Sequence, residues 1–148
     1  MKAVYLMTQR KSLGIALAAA LLEFAARSVA VHLGAKLSAN PGVAFGLLGG
    51  RPALACALSA LALAALLFCL WRFSRPGLAI MAGGAAANLV DRLLWGAVRD
   101  WIPLPFSEHF IPGGLRFNLA DVEIALGAAA VLWGVLKKGR DDPSPQQS

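Results

Sequence analysis

Four long runs of apolar residues divide the chain, and short stretches richer in charge and proline separate them. The runs cover residues 13–33, 52–73, 76–95 and 117–136. One stretch, residues 53–71, has nineteen positions without a charge, which is enough for a helix to cross a hydrocarbon core of about 30 Å. The pattern predicts an all-α membrane protein with four transmembrane helices joined by two exoplasmic loops.

Composition supports the same class of protein. The chain has 148 residues, of which 58% are hydrophobic and 15% are charged, and its mean hydropathy is +0.64. Soluble domains carry about a quarter charged residues, and disordered chains are poor in apolar residues. We expect a single four-span domain over residues 1–140. Residues 141–148 contain two prolines and two glutamines, and we expect a disordered cytoplasmic tail there.

The net charge of +6 follows a membrane pattern. Basic residues cluster before the first apolar run, between the second and third, and after the last: Lys2, Arg10, Lys11, Arg72, Arg75, Lys137, Lys138 and Arg140. The positive-inside rule therefore predicts cytoplasmic termini and exoplasmic loops at residues 34–51 and 96–116. We expect short extended segments around residues 40–46 in the first loop. No basic cluster is interleaved with aromatic residues, so nucleic acid is excluded as a partner.

The first apolar run has a second interpretation. Residues 1–11 are basic, residues 13–22 are apolar and Ser28-Val29-Ala30 resembles a cleavage site, which together are typical of a signal peptide. Cleavage would leave three spans and break the arrangement that the basic residues indicate. We therefore expect the first span to be retained as a signal anchor.

Two aspartates lie inside the predicted spans. Asp91 is fifteen residues from Pro76, and Asp121 is fifteen residues from Leu136, so both lie about 22 Å from the cytoplasmic face. A carboxylate at membrane depth costs about 2.5–3.5 kcal/mol on insertion, less near an interface, which makes each one a functional candidate. In the alternative interpretation, Asp91 pairs with Arg92 or another nearby cation at the interface, and Asp121 supports the start of a helix.

Each aspartate follows an asparagine by three positions, Asn88 before Asp91 and Asn118 before Asp121. Residues three apart share a helix face, so each asparagine can orient its aspartate. For Asn118, helix N-capping is an alternative. Small residues at 83–87 permit close helix packing. Two carboxylates meeting there would tend to share a proton, so that one could deprotonate water while the other hydrogen-bonds a scissile carbonyl oxygen.

Other chemistries lack the residues they need. The chain has two histidines, His32 and His109, and no His-Glu-x-x-His pair, so we expect no metal site and no cofactor. No Gly-x-Ser-x-Gly motif is present, which argues against a serine nucleophile of that type.

Four short motifs occur in a fixed order along the chain. Residues 40–46 read NPGVAFG, residues 83–92 GGAAANLVDR, residues 98–102 VRDWI and residues 117–124 FNLADVEI. Together they resemble the lipoprotein signal peptidase (signal peptidase II) family. The resemblance implies an intramembrane aspartyl endopeptidase of the bacterial cytoplasmic membrane, with its active site near the exoplasmic face. Its substrates would be diacylglyceryl-modified prolipoproteins, cut before the lipidated cysteine.

The resemblance also assigns residues. The catalytic pair would be Asp91 and Asp121. Substrate-binding or supporting positions are Asn40, Gly42, Phe45, Asn88, Arg92, Asp100, Asn118 and Ala120. Partners would be the lipidated substrate and membrane lipids, and we expect a monomer.

The first span departs from the family pattern of Asp-Gln-x-x-Lys. Here the chain has Glu23, Phe24 and Arg27. The acid and the base keep their i, i+4 spacing, which predicts an ion pair facing the site rather than lipid. The alternative is a pair with a structural role only.

Two other functions remain open. A small transport or proton-relay protein could use Asp91, Asp121 and Glu123 as membrane carboxylates. An inactive lipoprotein-binding relative is also compatible with the altered first span. In the second loop, Trp95, Trp101, Phe106 and Phe110 favour the membrane interface, as a cover over the site or as plain anchors.

Overall fold

A computed structural model describes residues 2–42 and 50–141, with side chains over 8–42 and 50–140. Four helices dominate it: α1 (Lys2–His32), α2 (Pro52–Phe73), α3 (Pro76–Trp95) and α4 (Leu119–Asp141). Short strands lie between them: β1 (Ser38–Asn40), β2 (Val98–Asp100), β3 (Ile102–Pro103) and β4 (Arg116–Phe117), with a 3₁₀ turn at Ser107–His109. All four helices are long and apolar enough to cross a membrane. The predicted fold class is confirmed.

The second and third helices have the bounds that the sequence predicts. Pro52 and Pro76 occupy their first turns, where the missing N–H of proline costs no hydrogen bond. At the other ends, Ser74 and Gly96 adopt left-handed backbone conformations with φ of 47° and 70°, and their N–H groups bond back to Leu70 and Arg92. These conformations end both helices.

The outer helices differ from the prediction. α1 begins at Lys2 rather than at residue 13, because neither proline nor glycine interrupts residues 2–13 and most of those residues favour helix. α4 begins at Leu119 rather than at residue 117 and continues to Asp141. Phe117 is not helical because it pairs with Ile102 across the β3–β4 ladder.

α3 lies at the centre of the bundle. Half of its span is buried, against 11–17% of each other span. Glycines make its close contacts: a Cβ atom at Gly83 would lie 2.4 Å from the carbonyl oxygen of Ala16 in α1, and one at Gly84 would lie 2.6 Å from that of Ala120 in α4. The small-residue stretch therefore packs α3 against both neighbours, as predicted.

The strands form two small antiparallel ladders at the end of the bundle where α1 and α3 end. β1 pairs with β2, with Ser38 opposite Asp100 and Asn40 opposite Val98, and β3 pairs with β4. The first loop does contain an extended segment, at residues 38–40, which shares only Asn40 with the predicted range of 40–46. Residues 43–49 lie outside the described residues, so the prediction for them stays open. Phe45 and the tail from residue 142 onward lie outside the described residues.

Candidate active site

Asp91 is surrounded by arginines. It is 1% exposed; its Oδ2 atom lies 2.5 Å from Arg27 Nη1, and its Oδ1 atom lies 2.8 Å from Arg99 Nη2. The backbone N–H of Arg99 also donates to Oδ2 at 3.1 Å. The alternative that Asp91 pairs with a nearby cation is therefore confirmed, with Arg27 and Arg99 as the cations. The partner is not Arg92, whose guanidinium donates to the carbonyl oxygens of Gly42 (2.6 Å) and Asn88 (3.4 Å).

Asp121 and Asn118 form a reciprocal cap at the start of α4. The N–H of Asp121 donates to Asn118 Oδ1 at 2.9 Å, and the N–H of Asn118 donates to Asp121 Oδ2 at 3.3 Å. This arrangement satisfies backbone donors that a helix start leaves free. The capping alternative for Asn118 is therefore confirmed, and it fixes the carboxyl group of Asp121 at the helix N-terminus.

Asn88 does not orient Asp91, so that part of the prediction is wrong. Its amide donates to Asp121 Oδ1 at 3.1 Å, across the interface between α3 and α4, while the contacts of Asp91 go to arginines. Asn88 Oδ1 in turn accepts a hydrogen bond from Asn118 Nδ2 at 3.1 Å. Asn88 and Asn118 thus both bond to Asp121 and form one cluster around it. The two Asn-x-x-Asp repeats are therefore not equivalent. Within the described residues, Asp91 and Asp121 share no hydrogen bond.

Asp100 joins this cluster from β2. Its Oδ1 atom accepts a 2.8 Å hydrogen bond from Asn118 Nδ2, and its Oδ2 atom accepts one at 3.2 Å from Asn40 Nδ2. Asn40 Oδ1 accepts from the N–H of Gly42 at 3.1 Å. The side chains of Asp100 and Asn118 are both buried. The cluster therefore brings the first loop, the second loop and α4 together at one carboxyl group.

Burial raises the pKa of Asp100 from 3.8 to about 6. The hydrogen bonds from Asn118 and Asn40 act in the opposite direction, while the negative charge of Asp121 raises this pKa further. A carboxyl group with a pKa near 6 beside a second carboxyl group is suited to acid–base chemistry. The motif at residues 98–102 contains Asp100, but nothing local in the sequence ranks it above Asp91.

The first-span pair connects three elements. Arg27 Nη1 lies 3.3 Å from Glu23 Oε1, and both side chains are buried, so the predicted ion pair is confirmed. Glu23 also accepts hydrogen bonds from Trp101 Nε1 at 3.3 Å and from the N–H of Leu119 at 2.8 Å. The ring of Phe24 lies 5.3 Å from the Arg27 guanidinium, within cation–π range. Glu23 and Arg27 therefore link α1 to the second loop, to the start of α4 and, through Asp91, to α3.

Ala120 and Glu123 have different surroundings. Ala120 is fully buried where α4 meets Gly84, so its small size permits that close packing. Glu123 is 6% exposed, and neither carboxyl oxygen has a hydrogen-bond partner among the described residues. It lies near Glu23 rather than in the cluster around Asp121.

Over the described residues, no group of three or more His, Cys, Asp or Glu side chains could hold a metal ion.

The aromatic residues of the second loop divide into two kinds. Trp95, Phe106 and Phe110 are 62–85% exposed, while Trp101 is half-buried and bonded to Glu23. Exposed aromatic rings beside membrane spans are typical of interfacial anchors.

Comparison with known proteins gives one consistent result. A family model described as signal peptidase (SPase) II matches residues 7–137. The lipoprotein signal peptidase of Polynucleobacter necessarius is 35% identical over 108 residues, which cover 67% of this chain and 64% of that protein. The lipoprotein signal peptidase of Aquifex aeolicus is 36% identical over 102 residues, covering 63% and 59%. The matched region thus spans less than two thirds of either relative.

A solved structure also resembles this chain. It is a bacterial membrane enzyme that superposes with a TM-score of 0.74 at 19% identity, covering 93% of this chain and 94% of the other. At this identity the likeness concerns the fold alone.

Proposed function

The chain belongs to the signal peptidase II family, and on that basis we propose that it is a membrane-embedded endopeptidase that removes signal peptides from lipoprotein precursors. Its substrates are diacylglyceryl-modified prolipoproteins, cut before the lipidated cysteine. It works as a monomeric four-span domain in the bacterial cytoplasmic membrane, with both termini cytoplasmic and the site at the exoplasmic face. A lipid-anchored precursor presents its scissile bond close to that face.

The observation that carries this proposal is the shared attachment of two carboxyl groups to Asn118. The side-chain amide of Asn118 donates to Asp100 Oδ1, and the backbone N–H of Asn118 donates to Asp121 Oδ2, so this residue holds both carboxyl groups. The raised pKa of Asp100 and the contribution that the Asp121 charge makes to it support a working pair. We therefore assign the acid–base pair to Asp100 and Asp121.

Asp91, the partner of Asp121 expected from sequence, is better suited to positioning. Its two oxygens accept from Arg27, from the Arg99 guanidinium and from the Arg99 backbone. These bonds engage both oxygens of a carboxyl group that is almost fully buried. The bond to the Arg99 N–H holds β2 immediately before Asp100, so Asp91 acts through its neighbour.

In the proposed reaction, Asp121 takes a proton from a water molecule whose oxygen attacks the scissile carbonyl carbon. Asp100 is the proton-carrying partner, because its pKa is raised, and it donates that proton to the carbonyl oxygen. When the tetrahedral intermediate collapses, Asp100 takes back a proton from one of its hydroxyl groups, the C–N bond breaks, and Asp121 gives its proton to the leaving amine. Asn88 and Asn118 hold Asp121 throughout.

The direct test is incubation of the purified protein with a lipidated prolipoprotein and detection of the released signal peptide. The same precursor without its diacylglyceryl group is the matched control and should stay intact. Absence of cleavage by folded protein would favour the inactive binding relative instead.

A further inference from the structure

An apolar groove of about 470 Å³ lies outside the acid cluster, between the end of α1 and the segment that joins β2 to β3. Its volume is within the roughly 300–1,000 Å³ of small-molecule sites. One wall contains Ala30, Leu33 and Ala35, and the other contains Trp101, Ile102 and Pro103. The indole N–H of Trp101 is bonded to Glu23, so that polar atom already has a partner.

The position of the groove along the membrane normal follows from α1. The membrane-crossing part of α1 ends at His32, while the groove extends from Ala30 to Ala35. It therefore lies where the apolar span ends, at the level that we assign to the boundary between the hydrocarbon core and the headgroup region. Leu33, at this boundary, is 79% exposed.

The outer rim of the groove is cationic. Lys36 follows Ala35 directly and is exposed. Arg116 stands opposite Pro103 in the β3–β4 ladder, and its Nη1 atom donates to the carbonyl oxygen of Lys36 at 3.2 Å. The carboxyl group of Asp100, beside Trp101, is already bonded to Asn40 and Asn118. The rim thus has two cations. Among the described residues, Glu108 lies beside Gly114 in the same loop and forms no ion pair with either cation.

We propose that this groove is a binding site for an anionic glycerophospholipid. One acyl chain lies between Leu33 and Ile102, and the phosphate contacts Lys36 and Arg116, as expected for basic pockets at a membrane surface. The diacylglyceryl group of a prolipoprotein has no phosphate, so a preference for an anionic headgroup distinguishes this ligand from the proposed substrate. The inference therefore does not depend on the proposed peptidase activity.

The test is native mass spectrometry of the full chain purified in detergent and titrated with dioleoyl-phosphatidylglycerol. We expect one retained lipid, with dioleoyl-phosphatidylcholine binding at least about fivefold more weakly. Lys36→Gln and Arg116→Gln should each weaken binding about fivefold, and the double variant about 25-fold, from the contribution of one cation at an anionic surface. Arg51→Gln removes an exposed cation at the same end of the bundle and should leave binding unchanged.

The apolar part of the site has its own variant. Ala30→Trp fills the groove without changing charge and should also weaken binding, while the thermal unfolding temperature stays near that of the parent. Equal binding of the two lipids, unchanged binding in the double variant, or displacement by equimolar inorganic phosphate would overturn the proposal. Arg116→Gln also removes the hydrogen bond to the carbonyl oxygen of Lys36, so it can weaken lipid binding by lowering stability. In that case the binding measured for Lys36→Gln decides the proposal, because the exposed Lys36 side chain can be replaced without losing that bond.

Discussion

The side-chain amide of Asn118 donates a 2.8 Å hydrogen bond to Asp100, which lies 18 residues away on β2. The other end of the same amide caps the helix that begins one residue later. A helix cap normally satisfies only its own helix. Here Asn118 also joins the carboxyl group of Asp100 on β2 to that of Asp121 on α4.

Substitution of the acids separates chemistry from positioning. Asp100→Asn and Asp121→Asn should each reduce signal-peptide release by about 10²–10⁴-fold, the usual contribution of an acid–base group. Asp100→Asn should lower the unfolding temperature less than Asp91→Asn does, because the amide keeps one acceptor oxygen for Asn118 and leaves no buried cation without its partner. The measurements are a cleavage assay and thermal unfolding in detergent.

Asp91→Asn should behave differently. It leaves Arg27 with one carboxylate partner fewer in a buried setting, and breaking such a pair costs about 3–5 kcal/mol. We expect a lower unfolding temperature together with lower activity. A stable Asp91→Asn protein without activity, beside an active Asp100→Asn protein, would return the catalytic pair to Asp91 and Asp121.

The pH dependence follows from Asp100. If the protonated form of Asp100 donates to the carbonyl oxygen, kcat/KM should fall as the pH rises through about 6. The folded-state pKa lies above the unfolded value, so the associated stability is present at low pH and is lost as pH rises through about 6.

Substitution of Asn40 should change the pH dependence of kcat/KM. Its hydrogen bond to Asp100 lowers the pKa of that carboxyl group, so Asn40→Ala should shift the alkaline limb of the pH–rate profile to higher pH. The unfolding temperature should change less than the rate does. If the alkaline limb of the pH–rate profile stays at the same pH, the ionisation of another group sets it.

The packing of α3 on α4 can be tested through glycine. Gly84→Ala places a Cβ atom 2.6 Å from the carbonyl oxygen of Ala120, so the helices must separate and the bond from Asn88 to Asp121 must lengthen. We expect losses of both stability and activity. Gly14→Ala is the matched control, because a Cβ atom there meets nothing within 4 Å; equal effects of the two would exclude this packing role.

Arg27 tests the first-span network. Arg27→Gln removes the cation shared by Glu23 and Asp91, and thermal unfolding should report a loss of about 3–5 kcal/mol. Arg27→Lys should restore only part of it, because an ammonium lacks the planar fork and the stacking surface of a guanidinium. Lys138→Gln, at an exposed position, should be neutral. Full restoration by lysine would mean that charge alone matters.

The existence of the four helices follows from local sequence alone. In a membrane every backbone polar group must be satisfied within the span, so apolar length is sufficient to locate helices, and Pro52 and Pro76 mark two of their starts because proline has no N–H to lose there. The i, i+4 spacing of Glu23 and Arg27 likewise predicted their ion pair. These properties depend on a few neighbouring residues, and local patterns report them directly.

The tertiary structure decided which groups meet. Spacing places Asn88 and Asp91 on one helix face, but the amide of Asn88 reaches Asp121 because α4 packs there. Arg27 contacts Asp91 across 64 residues of chain, and that contact occupies the carboxyl group expected from sequence to be catalytic. Asp100 becomes a candidate only when burial raises its pKa, and its burial requires β1, β2 and α4 to assemble around it. Contacts between elements depend on how whole surfaces pack, and no local spacing contains that information.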